Sequence, residues 1–486
     1  MAEAGWQPDP TGRHEHRYFD GSRWTEHVSD SGATSVDPVQ AGATQAETRS
    51  TPTASASSRR RGWPRFVLWL ALIALLGFGF RLAYVVETRH DFLSDDGPGY
   101  HALAGSLAEG RGFIAPETAH DSREVVQEAG HPPVWPLTLM VPARFGFRSR
   151  SEQQAFATLI GAAAIVMVGF AGRRLVGPRA GLLAAGIAAA YPLFWRYERE
   201  LLSETLVLFE VAAVLFLAYG FWARPSLGRA VAVAAVCGLL ALTRAELVLL
   251  GVALLAPLIL LAPRIPWRRR AGWLAVATAT MAGVIAPWVA YNLMRFEEPV
   301  LLTHSLGYNL SIANCDFAYS GEQFGHGDGR CLEMREPELE ATVRSTDGDA
   351  STRDMVQRRQ GLDYVKAHLT RVPVVVLARE GRAWGVFRPA QQITLEARTG
   401  TARWVFWAGF VGSWLMMPMA VAGAVLLRRR RVPLFPLLAF VVVAVVAVAM
   451  TFGKVRFRAP ADVPVVLLAA VAIDAILPRE RGAAVR

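Results

Sequence analysis

The stretch P-R-F-V-L-W-L-A-L-I-A-L-L-G-F-G-F-R-L-A-Y-V-V, residues 64–86, is apolar except for Arg65 and Arg81. A hydrocarbon core of about 30 Å takes roughly 20 apolar helical residues to cross, so this run is long enough to span a bilayer. It is not alone. Residues 153–171 and 402–427 are as clear, and 52% of the chain is hydrophobic, with a mean hydropathy of +0.27 gathered in blocks. A soluble protein would have to hide all these blocks in one water-soluble shell. The composition instead predicts an all-α polytopic membrane protein.

Working outward, about ten crossings fit, near 64–86, 153–171, 177–195, 203–222, 230–243, 246–262, 271–291, 402–427, 433–451 and 460–477. Arginines set their direction. Lys366 and Lys454 are the only lysines, so the net charge of +10 is carried by Arg, a bias that points to a GC-rich genome. Clusters stand at span ends: Arg59 to Arg61, Arg173 and Arg174, Arg224 and Arg229, Arg268 to Arg270, Arg428 to Arg431, Arg479 and Arg481. The positive-inside rule assigns them to the cytoplasm. The loops 87–150 and 293–400 hold most of the Asp and Glu and are expected outside, with both termini inside. A nucleic-acid partner is not expected.

Residues 5–28, G-W-Q-P-D-P-T-G-R-H-E-H-R-Y-F-D-G-S-R-W-T-E-H-V, read as aromatic strands around an Asp20-Gly21 turn. This predicts a small β-type module over 1–30, a Ser/Thr/Ala-rich disordered linker over 31–62, and a membrane domain over 63–480. The module resembles a short Trp-rich segment attached to many actinobacterial membrane proteins. Gln7 and Phe19 stand where an aromatic and Trp are commoner.

Just past the first span the chain reads F-L-S-D-D-G-P-G-Y-H-A-L-A, residues 92–104. Pro98 suits the first turn of a helix and Gly110 its end, and one Asp can cap that helix. Two adjacent acids beside a membrane are unfavourable without a cation, so the second needs another purpose. The fifth and sixth spans are short and meet at L-T-R-A-E, residues 242–246. That puts Arg244 and Glu246 near the outer boundary, where a charge is either paired, facing a wet cavity, or snorkelling to headgroups. Lys454, Arg456 and Arg458 fill the outer link between the last two spans. Three cations there run against the positive-inside bias and suggest an anionic ligand, with ordinary phospholipid contacts as the plainer reading. Arg244 is the second phosphate candidate, with Glu246 or Glu204 to hold it; Glu204 otherwise orients a substrate or pairs with Arg196 or Arg199.

In order along the chain, several motifs resemble the GT-C glycosyltransferases, polytopic enzymes that use lipid-phosphate-linked sugars. They are Asp96-x-x-x-Tyr100, H-P-P-V-W-P (131–136), L-L-S-E-T-L (201–206), A-L-T-R-A-E (241–246), P-W-V-A-Y-N (287–292) with G-Y-N-L (307–310), and V-R-F-R-A-P-A-D-V-P (455–464). The similarity is greatest to the protein-mannosyltransferase and aminoarabinose-transferase branch. It implies a GT-C fold with interfacial helices in the outer loops, at the plasma membrane. It also implies transfer of a sugar from a polyprenyl-phosphate donor to a protein, lipid or glycan acceptor on the outer face. Asp96 is then the general base and Asp95 the second choice. Tyr100, Glu204, Arg244, Lys454, Arg456 and Arg458 become substrate-binding candidates, and the cations stabilise the departing phosphate. Some relatives use a divalent cation and others do not; His326 and Asp328 near Cys331 match no zinc spacing.

Cys315 and Cys331 flank a Gly-rich outer stretch and can form a disulfide in an oxidising exterior, whereas Cys237 reads as a small apolar span residue. A surface-polysaccharide polymerase or ligase using a pyrophosphate-linked oligosaccharide is the nearest alternative. A transporter would need ionisable residues at mid-span and repeated halves, neither of which stands out.

Overall fold

A computed structural model describes residues 4–37, 54–91, 95–114, 126–263, 265–334, 336–345 and 348–478. Arg479 and Arg481, and residues 38–53 of the expected linker, lie outside these residues. Two compact units divide near Arg65.

The N-terminal unit contains an antiparallel sheet of four strands in sequential order: Gly5–Pro8, His16–Phe19, Trp24–Asp30 and Ala33–Val36. The fourth strand carries the module past the expected boundary at residue 30, because Ser31 and Gly32 both take positive φ and make the tight turn that returns the chain. At the Asp20-Gly21 turn, Asp20 Oδ1 accepts backbone N–H bonds from Ser22 and Arg23, each at 2.8 Å. Buried Arg17 lies among the strands, 2.9 Å from Asp9 and 3.0 Å from Asp37.

In the larger unit six helices are long and apolar enough to cross a membrane: Trp63–Glu87, Arg150–Leu175, Glu204–Ala223, Trp267–Leu293, Arg403–Arg429 and Val455–Ile476. The other four expected segments form shorter apolar helices, Pro178–Ala190, Leu227–Thr243, Ala245–Leu260 and Phe435–Met450. The last of the six is the axis of the bundle, 78% buried, and packs on helices 403–429, 178–190, 204–223 and 435–450. Helix 267–293 is only 17% buried in its apolar window. An apolar helix with that much free surface is one whose remaining faces meet lipid.

Two of the expected spans are broken. The 177–195 segment stops at Tyr191-Pro192, since Pro cannot continue the hydrogen-bond ladder, and a separate helix Pro192–Arg199 buries Arg196, Glu198 and Arg199. Beyond Thr243 the chain goes extended at Arg244, then runs as a 3₁₀ turn (Ala245–Leu249) and a π turn (Gly251–Leu255) before resuming α geometry. Irregular backbone at such a depth is tolerated where it lines a cavity.

Both long loops carry helices rather than open coil. The first contributes Gly97–Ala108 and Val134–Arg144, and the second includes Leu306–Ala313, Ala350–Ala367, Val372–Ala383 and Pro389–Glu396. Helix Gly97–Ala108 ends as the sequence indicates. Gly110 takes φ +77°, and the N–H groups of Arg111 and Gly110 close on the carbonyls of Ser106 and Leu107 at 3.0 and 3.1 Å. Cys315 and Cys331 are joined by a disulfide, and Cys237 is buried and free.

An acidic turn and a cationic turn facing one cavity

Asp95 takes φ +69°, a left-handed conformation that Asp enters more readily than most residues. Asp96 follows with helical backbone angles, immediately before helix Gly97–Ala108, yet its side chain makes no capping bond. The cap reading is therefore corrected. The helix start relies on Pro98, which has no N–H to satisfy, and leaves both carboxylates free for other partners.

Those partners come from 359 residues away. Lys454 Nζ donates to both oxygens of Asp95 at 2.9 Å. Arg456 Nη1 lies 2.6 Å from Asp96 Oδ2 and 3.5 Å from Asp95 Oδ2. Lys454 sits in extended backbone and Arg456 in the 3₁₀ turn Val455–Arg458, so both side chains leave the same face of a turn held rigid by helix 459–476. Behind them Arg244 Nε is 2.5 Å from Glu246, and its Nη1 pairs with Glu204. Glu204 is also 4.0 Å from Arg456 Nε. Three cations and four carboxylates thus form one network, which is how two adjacent acids are tolerated beside a membrane.

A cavity of about 980 Å³ opens over this network, lined by Asp95, Asp96, Tyr100, Arg244, Lys454 and Arg456 among others. Tyr100 is buried; its hydroxyl is 3.5 Å from Ser203 Oγ and its ring lies 4.6 Å from that of His131. The lining also includes exposed apolar side chains, among them Leu249, Leu301 and Met450 at 39%, 59% and 55% exposure.

Two expected site residues do not reach the cavity. Arg458 is fully buried and turned into the bundle, 3.3 Å from Asp462 and donating to Tyr191 Oη at 2.9 Å and Ser413 Oγ at 2.8 Å. Two residues along the 3₁₀ segment Val455–Arg458 is about two-thirds of a turn, so its side chain leaves in a different direction from that of Arg456. Glu204 lies behind the wall and pairs with Arg244, whereas Arg196 pairs with Glu200 at 2.9 Å and Arg199 with Asp91 at 3.5 Å. Arg458→Ala should accordingly cost stability, about 3–5 kcal/mol, by stranding Asp462 as a buried unpaired charge. A lower melting temperature for Arg458→Ala than for the wild type is the expected result.

Sequence reasoning missed His131 as a site residue, although H-P-P-V-W-P was visible. Its Nε2 lies 4.0 Å from Asp96 Oδ1. It also missed Tyr308 and Asn309 of G-Y-N-L, which line the cavity. Nothing in a linear reading says that these loops converge.

Burial alone would raise both carboxyls of the acidic turn. For Asp96, the charges of Arg456, His131 and Lys454 outweigh it, and for Asp95 those of Arg456 and Lys454, so both are held below the usual carboxylate range. Groups with lowered folded pKa contribute stability that is complete above the unfolded value near 3.9 and is lost as pH falls through the folded one. The difference in melting temperature between the protein and its Asp95→Asn/Asp96→Asn variant should therefore stay constant from about pH 8 to pH 5 and shrink only below about pH 4. A difference that decays between pH 7 and 5 would contradict this electrostatic picture.

The acidic pair is engaged by Lys454 and Arg456, and among the described residues no three His, Cys, Asp or Glu side chains converge to hold an ion.

Comparisons with known proteins agree with this architecture. The archaeal oligosaccharyltransferase AglB from Archaeoglobus fulgidus, solved with an inhibitory peptide and a dolichol-phosphate, is 14% identical with a TM-score of 0.50. The alignment covers 86% of this chain and 50% of that one. The same oligosaccharyltransferase tethered to an acceptor peptide gives a TM-score of 0.50 at 14% identity, over 84% of this chain and 49% of that one. This chain thus spans about half the length of those relatives. ArnT from Cupriavidus metallidurans bound to undecaprenyl phosphate is 16% identical over 85% of this chain and 78% of that one, with a TM-score of 0.40. No curated protein sequence matches. Residues 4–37 match a family described only as a protein of unknown function, DUF2510. Residues 130–291 match the family described as dolichyl-phosphate-mannose-protein mannosyltransferase. The chain is therefore a membrane protein of GT-C fold whose residues 130–291, about a third of its length, match the protein-mannosyltransferase family model, and whose residues 4–37 match DUF2510.

Proposed function

We propose that this protein is a glycosyltransferase that moves a sugar from a polyprenyl-phosphate donor to an acceptor hydroxyl on the outer face of the plasma membrane. The observation that carries the reading is the meeting of the acidic and cationic turns at one cavity that is also lined by exposed apolar side chains. A lipid phosphate needs both kinds of surface. Its phosphate needs cations in a low-dielectric setting, and its isoprenoid chain needs an apolar wall continuous with the bilayer.

The charge balance suggests how the parts act. In the resting network Arg456 is occupied by Asp96, which keeps that carboxylate a weak base. Donor phosphate competes for Arg456 and Lys454 and so restores basicity to Asp96. The acceptor oxygen then attacks the anomeric carbon from the face opposite the phosphate while Asp96 takes the hydroxyl proton. The new C–O bond forms as the bond to the phosphate oxygen breaks, with inversion. Proton uptake neutralises Asp96 just as the leaving phosphate gains negative charge, so Arg456 transfers its pairing from one to the other. Arg244, fixed between Glu204 and Glu246, adds positive potential from behind.

The outward orientation of the cavity rests on the arginines. Arg174 donates to the Phe216 carbonyl, Arg229 to that of Gly220, and Tyr219 to that of Pro433, which gathers three Arg-bearing connections at one end of the bundle. The acidic turn lies beyond the opposite end of helix 63–87. A single cysteine placed at exposed Glu109 should react with an impermeant thiol reagent in intact cells. Labelling only after permeabilisation would reverse the orientation.

Activity is tested by incubating the purified protein with a panel of polyprenyl-phosphate monosaccharides and following release of lipid phosphate. Release from at least one is expected. Turnover of a pyrophosphate-linked oligosaccharide alone would make the protein a polymerase or ligase instead.

A further inference from the structure

His326 belongs to none of the ion pairs above, yet it lines the same cavity. It sits on the stretch closed by the Cys315–Cys331 disulfide and is only 8% exposed. Its Nδ1 is 2.9 Å from the Gly327 carbonyl, an atom that can only accept, so Nδ1 carries the proton. Burial pushes the imidazole down to about 4, so the ring is neutral at pH 7 and Nε2 holds a lone pair. Among the described residues that lone pair has no hydrogen-bond partner. A buried acceptor left unmade is costly, and on a residue that lines a cavity a ligand donor can recover the loss.

The loop is fastened to the cationic turn itself. Gly325 takes φ +80°, and a Cβ there would meet Ala378 at 2.8 Å, so only glycine fits. Its carbonyl accepts the N–H of Gly453 at 2.9 Å, directly before Lys454. Gln392, buried, ties the Gly453 carbonyl from the other side at 2.9 Å, and Arg382 donates to the Phe324 carbonyl. The imidazole is therefore placed one residue from a backbone bond that joins its loop to the phosphate-binding segment. A sugar attached through a single oxygen to a phosphate at Lys454 and Arg456 would have its ring in this part of the cavity, near His326, Asp328 and Gln323.

Resting on the reading above, we infer that His326 Nε2 accepts a hydrogen bond from a hydroxyl of the donor's sugar and so helps to set which sugar the site takes. Hydrogen bonds to hydroxyls discriminate strongly, because the analogue that lacks the hydroxyl leaves the acceptor unpaired. The residue touches sugar, not phosphate, and that separation makes it testable without turnover.

Binding of polyprenyl phosphate and of polyprenyl-phosphate mannose, glucose, galactose and arabinose would be measured for the wild-type chain, His326→Phe and His326→Gln. The wild type should bind at least one sugar-bearing lipid more tightly than the bare lipid phosphate. His326→Phe should weaken that sugar lipid by about tenfold while bare lipid phosphate is unchanged, and Gln should recover part of the loss. Unchanged bare-lipid affinity, with the disulfide intact on a non-reducing gel, serves as the folding control. An undiminished sugar preference in His326→Phe, equal weakening of both lipids, or no sugar preference in the wild type would each overturn the inference. Failure of the glycosyl-transfer reading is scored separately, as absence of lipid-phosphate release by wild type.

Discussion

Asp96→Asn should abolish transfer while the protein still inserts and folds, with kcat falling by about 10²- to 10⁴-fold, the range expected for loss of a general base. Asn preserves the shape and one oxygen but cannot take the acceptor's proton. Since Asp96 makes no capping bond, the substitution has no helix start to damage, and Asp95 remains as a partner for Lys454. Bare lipid phosphate should bind at least as tightly as before, because Arg456 loses a competitor. That combination, catalysis lost with phosphate affinity kept, separates a base from a structural ligand. Asp95→Asn should cost less, since Asn tolerates the same left-handed backbone, whereas Ala would add strain. Near wild-type turnover in Asp96→Asn with a dead Asp95→Asn would exchange the two roles. Activity in both would make the acidic turn structural and remove the proposed mechanism.

Arg456→Ala is the second large effect. A charge-assisted contact to phosphate is worth roughly 1.5–3 kcal/mol, so donor affinity should drop by about ten- to a hundredfold, with Lys rescuing only in part because it lacks the planar fork. The substitution also removes the nearest cation from Asp96 and leaves burial to act with less opposition. The carboxyl should therefore titrate at higher pH than in the wild type. Residual activity should show an acid limb displaced upward, since the base is lost as pH falls through its folded pKa. Unchanged donor affinity in Arg456→Ala would move the phosphate elsewhere, with Arg244 next to be tested.

Much of this protein is legible in its sequence. Apolar block length sets the class, because crossing a bilayer is a one-dimensional requirement that a chain must meet locally. Six of the expected spans are full-length helices, and the other four appear as shorter apolar ones. Arg244 stands out for a similar reason, as a charge at a depth where it needs company. The anomalous cations at 454–458 are visible against the positive-inside bias.

Pairing is not legible there. Asp95 meets Lys454 across 359 residues, and no local rule distinguishes that partner from a helix cap. Arg456 and Arg458 are two residues apart and look alike in sequence; only the packing of helix 459–476 sends one to the cavity and the other to Asp462. For Glu204 the sequence offers Arg196, Arg199 and Arg244 alike, and it is the broken helix at Thr243 that selects Arg244. His131 and His326 sit on loops whose positions depend on helices far along the chain. Apolar block length and charge placement show which segments are long enough to cross a bilayer and which charges are out of place beside them. Which charge faces which was decided by tertiary packing, because electrostatic partners are chosen by distance in space, and separation along the chain says almost nothing about it.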